Sequence, residues 1–288
     1  MKISGFSFIR NAIKFDYPIK ESILSILPLC DEFVVCIGNS DDNTLELIES
    51  INSRKIKIVH SVWDDNLRIG GQVLAIETNK AFSSISKESD WAFYIQGDEV
   101  VHESDHTIIN DSMQKYLENK KVEGLLFKYK HFYGSYDYIA DSRSWYRNEI
   151  RVIRNDKRIK SYQDAQGFRI ENRKLKVKPI EATIYHYGWV KNPIEQQLKQ
   201  KTFHRYWHPD EWLKKNIKSD NKYDYSNIDS LELFKGTHPS VMIDRIKKMD
   251  WEFNYNGKKK LNLRKNFLYK IEKLTGKRFF EYKNYEQI

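Results

Sequence analysis

The chain has 288 residues, a formal net charge of +9 and an aromatic fraction of 14%. This length can bury a full hydrophobic core, which excludes a small scaffold that depends on disulfides or structural zinc. No apolar run approaches the ~18 residues that cross a bilayer, so we expect a cytoplasmic protein. The excess of Lys and Arg suggests an anionic partner, which could be nucleic acid, acidic lipid or a phosphorylated small molecule.

The first hundred residues alternate between strand and helix patterns. Apolar runs predict four strands, at residues 3–9, 33–37, 56–60 and 91–95. Helical spacing of apolar residues lies in each gap between them. This alternation implies right-handed crossovers and a mostly parallel sheet with helices on both faces. Ligands of such sheets bind at the carboxyl ends of the strands, and two polar turns, at 38–43 and 96–99, fall there.

The pattern changes after residue 100. A helix is predicted over 105–118, and strand-like runs follow at 124–133 and 182–189 with a loop-rich aromatic stretch between them. The remainder of the chain is mainly helical in pattern. We therefore expect an α/β fold with a catalytic domain over 1–190 and a helical C-terminal extension over 191–288.

The strongest local signal is the run W-A-F-Y-I-Q-G-D-E at 91–99. It predicts a buried strand that delivers two adjacent acids, Asp98 and Glu99, at its carboxyl end. A hard cation such as Mg²⁺ or Mn²⁺ binds one or two protein carboxylates and fills its other positions with water and phosphate oxygens. The segment therefore suits a metal site centred on Asp98, although an ordinary turn with solvated acids would have the same sequence.

Several ordered motifs together resemble those of the family 2 glycosyltransferases. They are F-I-R-N-A at 8–12, V-V-C-I-G-N-S-D-D-N-T at 34–44, Q-G-D-E at 96–99 and Y-H-Y-G-W at 185–189. The resemblance covers roughly residues 3 to 190 and implies the A-type glycosyltransferase fold, a nucleotide-binding sheet with flanking helices. It also implies an inverting transfer, of the hexosyltransferase type, from a nucleotide-sugar donor to an acceptor hydroxyl with Mn²⁺ or Mg²⁺.

The resemblance implies a metal site in which one residue of the family's acidic motif is replaced. Gln96 replaces the first acid of the family's D-x-D pattern, and an amide is a poor ligand for a hard metal. The metal is then expected to be bound mainly by Asp98, with Glu99 or water. In the resembled fold a histidine late in the domain completes the metal or diphosphate site, and the resemblance assigns this role to His186. His186 could equally be a hydrogen-bonded core residue.

The same resemblance gives a set of donor-binding candidates. The paired acids that the family often carries after its second strand are replaced by Ile37 and Gly38, and the nearest acids are Asp41 and Asp42. The other candidates lie at strand ends or in the R-I-G-G segment, and they are Arg10, Asn11, Arg68, Gln96 and Gly97.

An inverting transfer requires a base near the acceptor hydroxyl, and in the resembled family this is an acid well after the metal motif. Asp164, in Y-Q-D-A-Q-G-F-R, is the first candidate, and Glu149, in W-Y-R-N-E-I-R, is the second. Either acid could instead be paired with a local arginine such as Arg151 or Arg169. The acceptor, whether glycan, lipid-linked or protein, is not identified, although bacterial surface glycan synthesis is the expected setting.

Two other functions compete with this one. A sugar nucleotidylyltransferase would need a glycine-rich loop after the first strand, where the sequence has Arg10, Asn11 and Ala12. A non-catalytic nucleotide or nucleic-acid binding protein would explain the charge, but the basic residues are scattered and no compact RNA-binding strand motif is present. We therefore expect no nucleic-acid partner.

The C-terminal segment 258–288 combines basic residues with an apolar stripe. The stripe consists of Leu263, Phe267, Ile271 and Leu274, and lysines surround it. A basic amphipathic helix of this kind can lie on an anionic membrane surface, which suggests peripheral contact with the inner face of the membrane or with a partner subunit. The alternative is that the stripe packs on the protein's own core.

Overall fold

The computed structural model describes residues 1–217 and 220–288. Its strands are β1 Ile3–Ile9, β2 Glu32–Ile37, β3 Ile56–His60, β4 Trp91–Tyr94, β5 Glu99–Val101, β6 Gly124–Tyr133, β7 Ser135–Ala140, β8 Asn148–Arg154, β9 Ile159–Tyr162, β10 Gly167–Ile170, β11 Arg173–Lys174, β12 Lys176–Trp189, β13 Leu231–Leu233 and β14 Glu286–Gln287. Its α-helices are α1 Ile19–Ile26, α2 Thr44–Glu49, α3 Gln72–Ser83, α4 His106–Lys115, α5 Pro193–Phe203, α6 Asp210–Asn216, α7 Ile243–Lys247 and α8 Leu263–Thr275. Short 3₁₀ turns span Leu27–Leu29, Glu103–Asp105, His204–Tyr206 and Ser240–Met242.

One large sheet organises the molecule. Strands β3, β2, β1 and β4 are adjacent in that order and all parallel. Beyond β4 the sheet continues through β8, β6, β7 and β13, whose pairings are antiparallel. The long strand β12 runs parallel to β6 and antiparallel to β5. The predicted α/β fold with a mostly parallel sheet and flanking helices is confirmed, and the four predicted strands correspond to the parallel strands β1–β4.

The parallel strands form because apolar side chains are buried on both of their faces. Phe33 and Val35 on β2 belong to one core, where α1 packs, and Val34 and Cys36 belong to the other, where α3 packs. Successive side chains of a strand point to opposite faces, so a continuous apolar run is required here. Cys36 and Cys30 are both buried and free.

The segment after residue 190 is joined to the sheet in two places. Strand β13 pairs with β7, and β14 pairs with β12. Helix α5 begins at an N-cap where the side chain of Asn192 accepts a hydrogen bond from the backbone N–H of Ile194, with Pro193 in the first turn. The division into a catalytic domain and an extension at residue 190 stays a prediction. Within 1–217 and 220–288, no helix is long and apolar enough to cross a membrane.

Candidate active site

A cavity of about 620 Å³ opens at the carboxyl ends of β1 and β4 and extends under α5 and the turn that follows it. Ten of its lining residues are Phe, Tyr or Trp, and several polar groups converge on it, as in typical small-molecule sites. Six of the predicted site residues line it, namely Arg10, Gln96, Gly97, Asp98, Asp164 and His186.

Strand pairing brings Asp98 and His186 together. Glu99, the first residue of β5, pairs with His186 on β12, and the backbone N–H of Tyr187 donates to the carbonyl oxygen of Asp98 at 2.8 Å. Adjacent side chains of an extended chain point in opposite directions. Asp98 therefore faces the cavity while Glu99 faces the interior.

Asp98 is a nearly buried carboxylate among cationic groups. Its Oδ2 lies 3.2 Å from Nζ of Lys199 and 3.7 Å from Nε2 of His186. Burial alone would raise the pKa of Asp98, but the charge of Lys199, with His186 and Lys191, outweighs it and holds the pKa well below its usual range. Asp98 is thus a permanent anion at the floor of the cavity.

A second histidine, His131, fixes the orientation of His186. Nε2 of His131 lies 3.0 Å from the carbonyl oxygen of Tyr146, so this nitrogen must donate. Burial lowers the pKa of His131 well below its ordinary value, and the Nδ1 of the neutral ring can only accept. Nδ1 of His186, 3.2 Å away, must then donate to it. In the uncharged form that a metal ion could bind, His186 therefore presents the lone pair of Nε2 towards Asp98.

The space between Asp98 and His186 is open because residue 188 is glycine. A Cβ on Gly188 would lie 2.6 Å from both Oδ2 of Asp98 and Nε2 of His186. No group of three or more His, Cys, Asp and Glu side chains suited to a metal occurs in the described part of the chain. Two protein ligands suffice for Mg²⁺ or Mn²⁺ when phosphate and water supply the rest, and this pair fits that description.

The geometry does not place Glu99 with this pair. Its carboxylate is fully buried and accepts hydrogen bonds from Nε and Nη2 of Arg151 at 2.7 and 2.5 Å and from the hydroxyl of Tyr129. The backbone N–H of Gln96 also donates to it at 3.0 Å. These donors satisfy both oxygens, so we do not retain Glu99 in the proposed metal set.

Gln96 contacts the turn that carries Asp164. Nε2 of Gln96 donates to the carbonyl oxygen of Ala165 at 3.2 Å, which ties the Asp164 turn to the end of β4. Gln163 and Ala165, on either side of Asp164, both have positive φ, at 52° and 64°. Such strained backbone is concentrated at functional sites. Burial raises the pKa of Asp164, as suits a base.

A second cavity, of about 300 Å³, shares part of its wall with the first. Asp164 lines both cavities, whereas Glu149 lines the second. Burial raises the pKa of Glu149 to about 8, against the opposing effect of Arg151, whose Nη1 lies 3.8 Å away. Glu149 is therefore largely protonated at neutral pH, which favours Asp164 as the base.

Arg10, one of the residues predicted to bind the donor, lines the cavity beside an aromatic wall. Its guanidinium is paired with Asp65, and its Cζ lies 5.7 Å from the ring centre of Trp63. The Trp63 ring in turn packs against Tyr206, with ring centres 5.6 Å apart. A nucleoside base could stack within this aromatic wall, beside the charge of Arg10.

Arg68 does not line the cavity, but it contacts the segment after α5 that does. It donates to the carbonyl oxygens of Arg205 and His208 at 3.0 and 2.8 Å and pairs with Asp210. A further hydrogen bond, from the N–H of Gly71 to the carbonyl oxygen of Tyr206, joins the same two segments. Arg68 therefore holds the segment after α5 against the loop between β3 and α3.

The remaining predicted donor residues build the turn between β2 and α2. Asn11 Oδ1 accepts from the N–H of Asp41, and Asp42 accepts from the backbone and hydroxyl of Thr44. Asp41 is paired with Lys14 at the surface. Asn11, Asp41 and Asp42 do not line the cavity, so their contribution to a donor site would be through this turn.

Several residues of the site could not be found from the motifs. Lys199 reaches Asp98 from α5, 101 positions along the chain, and the neighbouring Lys191 is fully buried. His131 lies within strand β6, and a single histidine in a strand is not a recognisable motif. Trp63 lies in a loop after β3. No local pattern marks these residues, because only the folded chain brings them to the cavity.

Comparison with known proteins gives only distant likenesses. No family model and no curated protein matches the sequence. Among solved structures, S. aureus TarS is 17% identical, with 70% of this chain and 38% of that chain covered and a TM-score of 0.39. Glucosyl-3-phosphoglycerate synthase from Mycobacterium tuberculosis, in complex with Mn²⁺, UDP and phosphoglyceric acid, is 21% identical, with 46% and 43% covered and a TM-score of 0.30.

A third solved structure is 4-diphosphocytidyl-2C-methyl-D-erythritol synthase from Anaerococcus prevotii DSM 20548, which is 12% identical, with 66% of this chain and 89% of that chain covered and a TM-score of 0.38. The chain spans less than half the length of the TarS and mycobacterial synthase structures that it matches. Similarity at this level does not define a function, which is therefore inferred from the site.

Proposed function

We propose that the chain is an inverting glycosyltransferase that moves a sugar from a nucleotide-sugar donor to an acceptor hydroxyl with the help of Mn²⁺ or Mg²⁺. One observation carries the proposal: the anion Asp98, with His186 and Lys199, lies in the same cavity as the acid Asp164. The first group suits a metal-bound diphosphate, and the second suits a base. A hexosyl donor and a surface-glycan acceptor are the finer form of this proposal.

The donor would lie between the aromatic wall and the cationic floor. Its base would stack near Trp63 and its diphosphate would approach Asp98, His186 and Lys199. The ammonium of Lys199 already lies 4.8 Å from the ring centre of Tyr17 and 3.0 Å from the carbonyl oxygen of Gly188. These contacts fix a positive charge beside the leaving group without reorganisation, which is the basis of electrostatic catalysis.

Asp98 and His186 would hold the divalent ion. Such an ion takes up the negative charge that develops on a departing phosphate group. His131 keeps the Nε2 lone pair of His186 available for it, because His131 can only accept from Nδ1.

Asp164 would carry out the proton transfer. The acceptor oxygen forms a bond to the anomeric carbon as the bond from that carbon to the diphosphate oxygen breaks. The hydroxyl proton passes to the Asp164 carboxylate, and the electron pair of the broken bond leaves with the nucleoside diphosphate. The aromatic walls, among them Trp145 and Tyr146, would exclude water and thereby limit hydrolysis of the donor.

Calorimetric titration of the intact protein with a panel of nucleoside diphosphates, with and without Mn²⁺, tests the proposal. We expect binding of at least one nucleoside diphosphate that strengthens with Mn²⁺ and weakens with a chelator. Incubation with the matching nucleotide sugar should then release a nucleoside diphosphate. Release of pyrophosphate from a nucleoside triphosphate and a sugar phosphate would instead indicate a nucleotidylyltransferase and would contradict the proposal.

A further inference from the structure

The net charge of the protein is concentrated near its C-terminus. Residues 258–283 contain ten basic and two acidic residues, a net charge of +8 out of +9 for the whole chain. Part of this charge is neutralised by acids outside the segment, since Lys273 pairs with Glu232 and Lys265 with Asp229. Other cations of the segment, Arg264, Lys270 and Lys277 among them, are exposed.

Helix α8 within this segment exposes an apolar face. Leu263, Phe267 and Leu274 are 91%, 65% and 86% exposed. They recur at the first, fifth and twelfth positions of the helix and therefore lie along one side of it, with Lys270 between them. The alternative that this stripe packs on the protein's own core does not hold for these three residues, although Ile271 is partly buried.

The helix is held to the body of the protein by its opposite side. Tyr269 is buried, and its hydroxyl donates to Asp141. Asn262 caps the start of the helix by accepting from the N–H of Lys265, and Gly276 ends it in the left-handed conformation. A capped, anchored helix presents its exposed leucines in a fixed direction.

Two large apolar side chains after the helix are exposed as well. Phe280 and Tyr282 are 87% and 75% exposed, and both also line the second cavity. Exposed large apolar side chains of this kind often mark a site of association.

We infer that α8 and the segment after it, residues 258–283, form a docking surface for an anionic lipid bilayer. Exposed apolar side chains would enter the boundary between headgroups and acyl chains, and the surrounding lysines and arginines would meet the acidic headgroups. This inference is independent of the reaction that the cavity carries out. It requires only the exposed apolar face and the charge of the segment.

The other occupants of such a face fit the observations less well. A second copy of the chain placed face to face would bring two segments of charge +8 together, and juxtaposed like charges disfavour association. A nucleic acid would satisfy the charge, but it gives no reason for Leu263 and Leu274 to be exposed on the same side.

Co-sedimentation of the full chain with vesicles tests the inference. We expect binding to vesicles of phosphatidylglycerol and phosphatidylcholine in equal parts at low salt, much weaker binding at high salt, and little binding to phosphatidylcholine alone. The variant Leu263→Ser, Phe267→Ser, Leu274→Ser should bind the anionic vesicles about tenfold more weakly or worse, because the apolar contribution is lost. All three side chains are exposed, so the variant should keep the thermal stability of the parent.

A control lies on α4, where Ile108 is exposed. The variant Ile108→Ser makes the same kind of apolar-to-serine change elsewhere, without altering the charge, and should bind vesicles like the parent. Equal loss in this control, no binding of the parent at low salt, or equal binding to neutral vesicles would overturn the inference. So would a dimer of the parent in gel filtration that the triple serine variant converts to a monomer.

Discussion

Nε2 of His186 lies 3.7 Å from Oδ2 of Asp98, although 88 positions separate the two residues in the chain. The pairing of β5 with β12 sets this distance, and Gly188 keeps the space beside it open. The lone pair of an uncharged His186 and a carboxylate this close repel each other unless a cation lies near them. Lys199 lies 3.2 Å from the carboxylate, and the proposed function adds a divalent ion.

Replacing Asp98 with Asn should abolish Mn²⁺-dependent binding of the nucleoside diphosphate and lower turnover by roughly two orders of magnitude or more. The substitution keeps the shape of the side chain but removes the anion that pairs with Lys199 and His186. Titration with Mn²⁺ present and absent measures the first effect. Unchanged Mn²⁺ dependence in a folded variant would contradict the metal site.

Replacing Gly188 with Ala should block the same site without changing a ligand. The added Cβ would lie 2.6 Å from Oδ2 of Asp98 and from Nε2 of His186, closer than van der Waals contact allows. We expect weaker Mn²⁺ binding, measured by calorimetry. Gly236→Ala is a control for an added methyl group away from the site, since its Cβ would meet only the ring of Phe234, and it should leave Mn²⁺ affinity unchanged.

Replacing His131 with Phe should weaken Mn²⁺ binding by roughly 10- to 100-fold, the usual effect of losing a residue that orients a ligand. Phe keeps the ring, but it cannot accept the hydrogen bond from Nδ1 of His186. Nitrogen chemical shifts of His186 in the metal-free protein measure the tautomer directly. A His186 that still carries its proton on Nδ1 in the variant would show that His131 has no such role.

Replacing Asp164 with Asn should leave donor binding intact and lower transfer by roughly 10²- to 10⁴-fold, as expected for loss of a general base. The comparison is Glu149→Gln, which should retain more activity because Glu149 is largely protonated at neutral pH. If the Glu149 variant loses transfer and the Asp164 variant keeps it, the base is Glu149. A product of retained configuration would exclude the single-displacement mechanism.

The stability of the protein should depend on Glu149 between about pH 4.5 and pH 8. The folded state keeps its proton up to about pH 8, whereas the unfolded chain loses it from the ordinary value of 4.5. The parent therefore loses stability relative to Glu149→Gln as pH rises through this window, by at most about 1.4 kcal/mol per pH unit. Denaturant unfolding of both proteins at several pH values measures the difference, and a constant difference would contradict it.

The sequence predicts the parts of the molecule that depend on local patterns. Strands β1–β4, the turn that carries Asp98 and the start of α5 at Asn192 follow from apolar runs and capping residues. The role of Glu99 could not be predicted, because it depends on Arg151, a partner 52 positions away. The contacts of Lys199 and His131 with the site likewise follow from long-range strand and helix packing.

The two cavities have a wall in common, formed by Ser144, Trp145, Tyr146, Asp164 and Gln166. If the donor occupies the larger cavity and the acceptor the smaller one, neither substrate has to leave before the other can bind. Kinetics of this arrangement would show a ternary complex with intersecting double-reciprocal lines rather than alternating half-reactions. Residues of the wall other than Asp164 would then set how the affinity for one substrate changes when the other is bound.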